Sequence, residues 1–97
     1  MATLHIVRQS AFSSNDFFQC IQTIKENDAI VFIDDGCYNL HHRLINSIDH
    51  NKNVSLRVIE QHAHARAISI NEAIYTKITM NDLVILTFEN DRVITWQ

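Results

Sequence analysis

Apolar and polar positions follow two alternating patterns along the chain, one typical of strands and one typical of helices. Five segments suit strands because they are apolar or alternating and rich in β-branched residues: residues 3–7, 29–33, 54–58, 74–78 and 92–96. Residues 29–33 are apolar throughout, which is typical of a central parallel strand covered on both faces. The pattern therefore predicts a sheet of about five strands.

Helical patterns lie between these strands. The first helix has apolar positions on one face at Phe17, Cys20, Ile21 and Ile24. Ser13 and Asp16 stand just before it at the spacing of a capping box. A second helix follows residues 34–36, and its apolar arc consists of Leu40, Leu44, Ile45 and Ile48. Residues 61–67 suit a short alanine-rich helix.

The segment 83–88 is ambiguous. Its β-branched and aromatic side chains favour a strand, whereas Thr79 and Asp82 form a cap that favours a helix. With either assignment strands and helices alternate, which predicts one α/β domain over residues 1–97 with a mainly parallel sheet. Functional sites of such sheets gather at the carboxyl ends of the strands, and here these are residues 8–14, 34–38 and 59–64.

Composition and charge exclude several classes of protein. A net charge of −3 in 97 residues provides no basic surface, so we expect neither direct nucleic-acid binding nor membrane contact. The first residues lack the pattern of a secretory signal, and the two cysteines do not make a disulfide framework, so we expect a cytoplasmic protein. The glycine motifs of dinucleotide and phosphate loops are missing, and we expect no cofactor.

Cys20 and Cys37 are the candidate thiols. Cys37 stands at the predicted start of the second helix, where a helix N-terminus lowers the pKa of a thiol. The adjacent Asp34 and Asp35 oppose that effect, and Cys37 also falls in the apolar arc of the helix. A reactive and a core interpretation of Cys37 therefore both stay open. Cys20 lies inside the apolar stripe of the first helix, which indicates a buried side chain.

The histidines do not form a recognisable metal site. His41 and His42 are neighbours on a helix, and His62 and His64 diverge by about 200° on a helix, so neither pair suits one metal ion. His5 lies within the first strand and is predicted to be a polar residue with its hydrogen bonds satisfied. We therefore expect no bound metal.

The sequence also predicts the structural roles of three further residues. Gly36 is the one glycine of the chain and lies where a buried strand turns into a helix, which predicts either a positive φ or the close approach of another backbone. Asp35 is predicted to act as the N-cap of that helix. Trp96 either covers the core or anchors an interface with a partner.

Three motifs, in their order and spacing, resemble the TusB (DsrH-like) family of the DsrE/DsrF/DsrH superfamily. They are Leu-His-Ile-Val-Arg-Gln-Ser-Ala-Phe at residues 4–12, Asp35-Gly36-Cys37-Tyr38 after the second strand, and Thr95-Trp96. The resemblance covers essentially the whole chain, although Ala11 stands where family members usually carry proline. It implies a DsrE-like, Rossmann-like domain with three α/β/α layers.

The resemblance also implies a function and partners. TusB-like chains form a heterohexamer with TusC-like and TusD-like subunits, which takes persulfide sulfur from TusA and passes it to TusE for 2-thiolation of the wobble uridine in tRNA. In the TusD-like subunit the persulfide cysteine follows the third strand, where this chain reads Val-Ile-Glu-Gln-His at residues 58–62. Cys20 matches a cysteine in the first helix of some relatives, which makes it a candidate accessory sulfur carrier.

Three functional hypotheses follow. The leading one is a mainly structural subunit of a sulfur-relay complex, not catalytic alone, acting in tRNA thiolation; a subunit of dissimilatory sulfur oxidation, as in relatives from sulfur-oxidising bacteria, is the alternative within this class. The second is a free-standing thiol or persulfide enzyme that uses Cys37 or Cys20, and the third is a small-ligand-binding module without a redox role. We also expect that the chain is not a lone monomer, because a domain of 97 residues with this apolar content leaves one face of its sheet poorly covered. The resemblance implies that its partners are different subunits.

Overall fold

The computed structural model describes residues 2–96 and contains a five-stranded sheet. The strands are β1 (Thr3–Val7), β2 (Ala29–Phe32), β3 (Ser55–Ile59), β4 (Thr76–Ile78) and β5 (Arg92–Trp96). Their order across the sheet is β4-β3-β2-β1-β5, and all four neighbouring pairs are parallel. The predicted α/β class is therefore confirmed. The sheet is parallel throughout, whereas a mainly parallel sheet was expected.

Three α-helices accompany the strands: α1 (Asp16–Thr23), α2 (Glu60–Ala65) and α3 (Met80–Glu89). The ambiguous segment 83–88 lies within α3. Thr79 and Asp82 form a complete capping box, because the Thr79 hydroxyl accepts from the Asp82 amide and the Asp82 carboxylate accepts from the Thr79 amide. The cap thus outweighs the strand propensity of the residues that follow it.

Two helix predictions are wrong in detail. The second helix is not an α-helix but two consecutive 3-10 helices, Asp34–His41 and Arg43–Ser47, and a third short one spans His50–Lys52. His42 is extended, and its ring accepts a hydrogen bond from the Leu44 amide, which ends one turn and caps the next. The predicted cap of α1 is also wrong. Asn15, not Ser13, is the N-cap residue, and it makes no side-chain capping bond.

The two faces of the sheet carry separate hydrophobic clusters, which gives the three-layer arrangement that the family resemblance implies. The first cluster joins the sheet to α1, α2 and the 3-10 helices, and its buried members include Val7, Phe17, Cys20, Ile30, Phe32, Cys37, Val58 and Ala63. The second cluster is smaller, and α3 alone contributes its helical side chains, Leu83 and Leu86. One face of the sheet is thus covered more thinly than the other.

Candidate functional site

The carboxyl ends of β1, β2 and β3 meet at one edge of the sheet, as their parallel pairing requires. Asp34, just after β2, lies between a residue from each neighbouring strand end. Its carboxylate pairs with Arg8 (Nε–Oδ2 3.3 Å), and its amide donates to Nδ1 of His62 at 3.0 Å. Because Nδ1 of His62 accepts, a neutral His62 ring carries its proton on Nε2. The three predicted site segments therefore come together through the contacts of Asp34 with Arg8 and His62.

Asp35 points to a different partner. Its Oδ1 accepts from Nε of Arg66 at 3.0 Å, and Arg66 also donates to the carbonyl oxygen of His62 at 3.2 Å. Asp35 does not act as the predicted N-cap, because Ile33 occupies that position and no side-chain capping bond forms there. The physical reason is that Asp35 already lies inside the first helical turn, with its side chain directed at α2. Each aspartate of the pair is thus matched by one arginine.

Gly36 is held against β1. Its amide donates to the carbonyl oxygens of Ile33 and Arg8, at 2.8 and 3.0 Å. A Cβ placed on Gly36 would lie 2.1 Å from the carbonyl oxygen of Val7, and φ of Gly36 is not positive. Of the two alternatives predicted for this glycine, the close approach of another backbone is correct and the positive φ is wrong. The positive φ, 50°, belongs to Asp34 instead.

Asn39 is a fully buried polar residue of this site that the sequence patterns did not single out. Its Oδ1 accepts from the Ala11 amide at 2.7 Å, and its Nδ2 donates to the carbonyl oxygen of Gln9 at 3.0 Å. The two bonds fix the loop after β1 to the first 3-10 helix. In the sequence, Asn39 stands beside Leu40 of the apolar arc, which could have suggested a buried position. Helical periodicity, however, assigns a polar residue to the surface.

The Cys37 thiol is buried below this edge of the sheet. It belongs to the first hydrophobic cluster, and its Sγ lies 3.8 Å from the carbonyl oxygen of Phe32, to which it donates. Burial, which outweighs the opposing effect of Arg66, raises the pKa of Cys37 to about 11, and Asp34 and Asp35 act in the same direction as burial. The thiol is therefore protonated near neutral pH, as the core interpretation requires.

Cys20 is placed in the same cluster, on the inner face of α1. It is fully buried, and burial together with the nearby Asp28 charge raises its pKa to about 12. Both cysteines are free. In this conformation neither offers the exposed thiolate that sulfur transfer needs.

His5, Asp28 and Trp96 form a hydrogen-bonded chain in which His5 and Asp28 are buried and Trp96 is half-buried. His5 is 1% exposed, its Nε2 lies 2.9 Å from Oδ2 of Asp28, and its Nδ1 lies 3.1 Å from Nε1 of Trp96. Burial acts to raise the pKa of Asp28, but hydrogen bonds from the Lys25 and Thr3 amides and from His5 outweigh it and hold that pKa low. His5 thus has its hydrogen bonds satisfied, as predicted, although its two partners were not foreseen.

The structure places the remaining predicted residues outside any clear chemical site. Tyr38 is partly exposed beside Cys37. Trp96 is half-buried against the first cluster, so its role as an interface anchor stays a prediction. Among residues 2–96 no three histidine, cysteine, aspartate or glutamate side chains are grouped so that they could hold a metal ion. No helix within the same residues has the length and apolar character to cross a bilayer.

The outer face of α3 is an exposed apolar patch, which we call the α3 patch and define as Met80, Val84, Ile85 and Phe88. The exposed fraction of these four side chains ranges from 44% for Met80 to 84% for Phe88. The patch lies on the thinly covered face of the sheet and precedes the edge strand β5, whose Val93 is also exposed. Contiguous exposed apolar surface of this kind marks interaction sites in soluble proteins.

A comparison with solved structures supports the fold. One solved structure, described as the crystal structure of ychN protein from E. coli, superposes with a TM-score of 0.74 at 18% sequence identity, over 99% of this chain and 100% of that chain. That similarity establishes a shared fold. A search of curated proteins found no significant match. The sequence profile of the family described as DsrH like protein matches residues 9–93. The chain therefore belongs to the DsrH-like family, which supports a role related to sulfur relay.

Proposed function

We propose that this chain is a mainly structural subunit of a cytoplasmic sulfur-relay complex that serves 2-thiolation of the wobble uridine in tRNA. The observation that carries the proposal is the burial of both thiols within a DsrH-like fold. Cys20 and Cys37 have pKa values raised to about 12 and about 11, because burial disfavours their thiolates. A chain of this family without a reactive thiol therefore has a structural role, in a complex whose reactive thiol belongs to another subunit.

The chemistry of relay explains why a partner is needed. A thiolate attacks the outer sulfur of a donor persulfide, takes up that sulfur and releases the donor as a thiolate. The segment that follows β3 contains Glu60 and His62 but no cysteine. The working thiol of the complex therefore lies on another chain, and TusC-like and TusD-like subunits are the proposed partners, with TusA-like and TusE-like carriers upstream and downstream.

The α3 patch and the edge strand β5 support docking to these sister subunits. A standard interface buries about 800 Å² on each partner, and large exposed apolar side chains such as Phe88 form the centres of such interfaces. Phe88 is 84% exposed in the isolated chain. The net charge of −3 argues against direct tRNA contact by this subunit, so tRNA specificity belongs to a later step of the pathway.

Deleting the gene and analysing tRNA nucleosides by mass spectrometry tests the pathway. We expect 2-thiouridine derivatives to be lost while an unrelated modified nucleoside in the same tRNA pool is unchanged. Unchanged thiolation would contradict the assignment to tRNA. If the deletion instead stops growth on reduced sulfur compounds, the dissimilatory role is the correct one.

Co-purification tests the assembly. Tagged wild-type chain should retain the TusC-like and TusD-like subunits when the three are co-expressed. The variant Phe88→Asp should lose them, whereas Glu89→Ala, an exposed neighbour outside the α3 patch, should retain them. A wild-type chain that remains a soluble monomer in the presence of both subunits would contradict the proposed partners.

A further inference from the structure

The protonation state of His5 is determined by its two partners. An indole N–H can donate but cannot accept, so Nδ1 of His5 must accept the hydrogen bond from Trp96. Asp28 already receives the Thr3 and Lys25 amides and is an ionised acceptor, so Nε2 of His5 donates to it. The docked arrangement therefore holds a neutral imidazole with its proton on Nε2.

A second proton on His5 is incompatible with this arrangement. It would reside on Nδ1 and face the indole N–H at a separation of 3.1 Å, so that two donors would point at each other. The Asp28 side of the ring has no such conflict, because the imidazolium would still donate to the carboxylate at 2.9 Å. Protonation therefore breaks one specific contact, the one to Trp96, and keeps the other.

Trp96 is held both by backbone pairing with β1 and by its side chain. It is the last residue of β5, an edge strand that pairs with β1 alone. Its carbonyl oxygen accepts from the Arg8 amide at a long distance, 3.5 Å. Its ring packs on the first cluster and lies nearly parallel to the His5 ring, at a ring-centroid distance of 6.2 Å. Loss of the indole hydrogen bond thus removes one side-chain attachment of the strand end, while the backbone pairing of Trp96 with Val7 remains.

The other groups around His5 do not complicate its titration. Asp28, from the turn before β2, stays ionised, since its pKa is held low despite burial. Cys20, on α1, stays protonated because burial and the Asp28 charge raise its pKa to about 12. Lys25 contributes its backbone amide, and its side chain is exposed, as is that of Arg92 at the start of β5. β2, on the other side of β1, places the apolar Ile30 beside His5.

We propose that His5 is a proton-sensitive latch: Trp96 docks on the neutral imidazole, and proton uptake by His5 releases Trp96 and loosens the end of β5. The response is local because the imidazolium keeps Asp28 as its partner. It uncovers the part of the first cluster that Trp96 covers. By linkage, any partner that holds Trp96 in its docked position lowers the affinity of His5 for a proton, and any partner that binds the released strand end raises it.

Trp96 is the single tryptophan of the chain, so its fluorescence and its indole NMR signal report the latch directly. In a pH titration that starts at 8 and stops before global unfolding, we expect a red shift of the emission and a shift of the indole N–H resonance along a one-proton curve. Far-UV circular dichroism should stay constant over that range. The matched variant is His5→Gln, whose amide can accept from the indole and donate to Asp28 but cannot titrate. His64→Gln, at an exposed position of α2, is the control.

Loss of the transition in His5→Gln and its retention in His64→Gln would support the latch. Equal transitions in the wild type and His5→Gln, or none before global unfolding, would overturn it. Should His5→Gln fail to fold, the wild-type imidazole ¹⁵N spectrum decides. The latch is supported if Nε2 alone carries a proton at pH 8 and if Nδ1 gains its proton at the same pH at which the indole resonance shifts. A different starting tautomer, or an indole shift at a different pH from the protonation of Nδ1, overturns it.

Discussion

Gly36 and Val7 are in backbone contact: a Cβ on Gly36 would meet the carbonyl oxygen of Val7 at 2.1 Å and its carbonyl carbon at 2.8 Å. The contact joins the turn after β2 to the end of β1. Because both atoms that would be struck belong to the backbone, no side-chain rotation can relieve the overlap. The absence of a side chain at position 36 therefore sets the separation of two segments of the candidate site.

Gly36→Ala should consequently destabilise the protein by about 3 kcal/mol or more, beyond the usual range for one added methyl group in a core. Urea denaturation measures the change in the free energy of unfolding. Tyr38→Phe, at a partly exposed position in the same turn, is the control and should change it by less than about 0.5 kcal/mol. A Gly36→Ala protein as stable as the wild type would show that the turn yields easily.

Asp35→Ala is expected to have a small effect. Asp35 is 60% exposed and pairs with Arg66 across the surface instead of capping a helix, so the loss should be below about 1 kcal/mol. The same denaturation assay applies, and the effect should shrink further at high salt, which screens exposed pairs. A loss near 2 kcal/mol that salt does not alter would indicate a capping role after all.

Both thiols should resist modification in the folded protein. At pH 8 a thiol-specific disulfide reagent should react with Cys20 and Cys37 at the rate of global unfolding, because the side chains are buried and their pKa values are raised. In denaturant two thiols per chain should react at once. Fast reaction of one thiol in the native state would identify a reactive cysteine and revive the thiol-enzyme hypothesis.

Stability should fall in alkaline solution. The unfolded thiols ionise near pH 9, whereas the folded ones stay protonated to about 11 and about 12, so the unfolded state binds fewer protons between these values. Stability is therefore fully present below pH 9 and decreases above it, by about 1.4 kcal/mol per pH unit for each thiol. Tyr75, whose pKa burial also raises, adds to the decrease above pH 10.

The variant that combines Cys20→Ala and Cys37→Ala should have a flatter stability profile between pH 9 and 10. Its overall stability will be lower because two buried side chains are shortened, so the slope against pH, not the absolute value, is compared. Parallel profiles for the wild type and the double variant would contradict the assigned thiol pKa values.

The sheet and the meeting of its strand ends could be predicted because both depend on local apolar runs and on the geometry of parallel strands. β1 and β5 have the predicted bounds, and α3 begins at its predicted cap. The 3-10 helices could not be predicted, since apolar spacing at Leu40, Leu44 and Ile48 fits either type of helix and the deciding bond, from the Leu44 amide to His42, is specific to the folded chain.

The site was predictable in its place but not in its contacts. Asp34 and His62 were expected at the same edge, but their pairing depends on side-chain directions. Asn39 and Asp28 were missed for a related reason: each is a polar residue buried by long-range hydrogen bonds, to Ala11 and Gln9 for Asn39 and to Thr3 and His5 for Asp28. Such bonds leave no periodic signal in a sequence.

The central claim is that this chain supports sulfur relay without using its own thiols, and complementation tests it most directly. A strain that lacks the gene is given either the wild-type chain or the variant that combines Cys20→Ala and Cys37→Ala, with equal amounts of folded protein verified. We predict that both restore 2-thiouridine derivatives in tRNA to the same level. Restoration by the wild type but not by the folded double variant would contradict the claim and assign a sulfur-carrying role to one of the two cysteines.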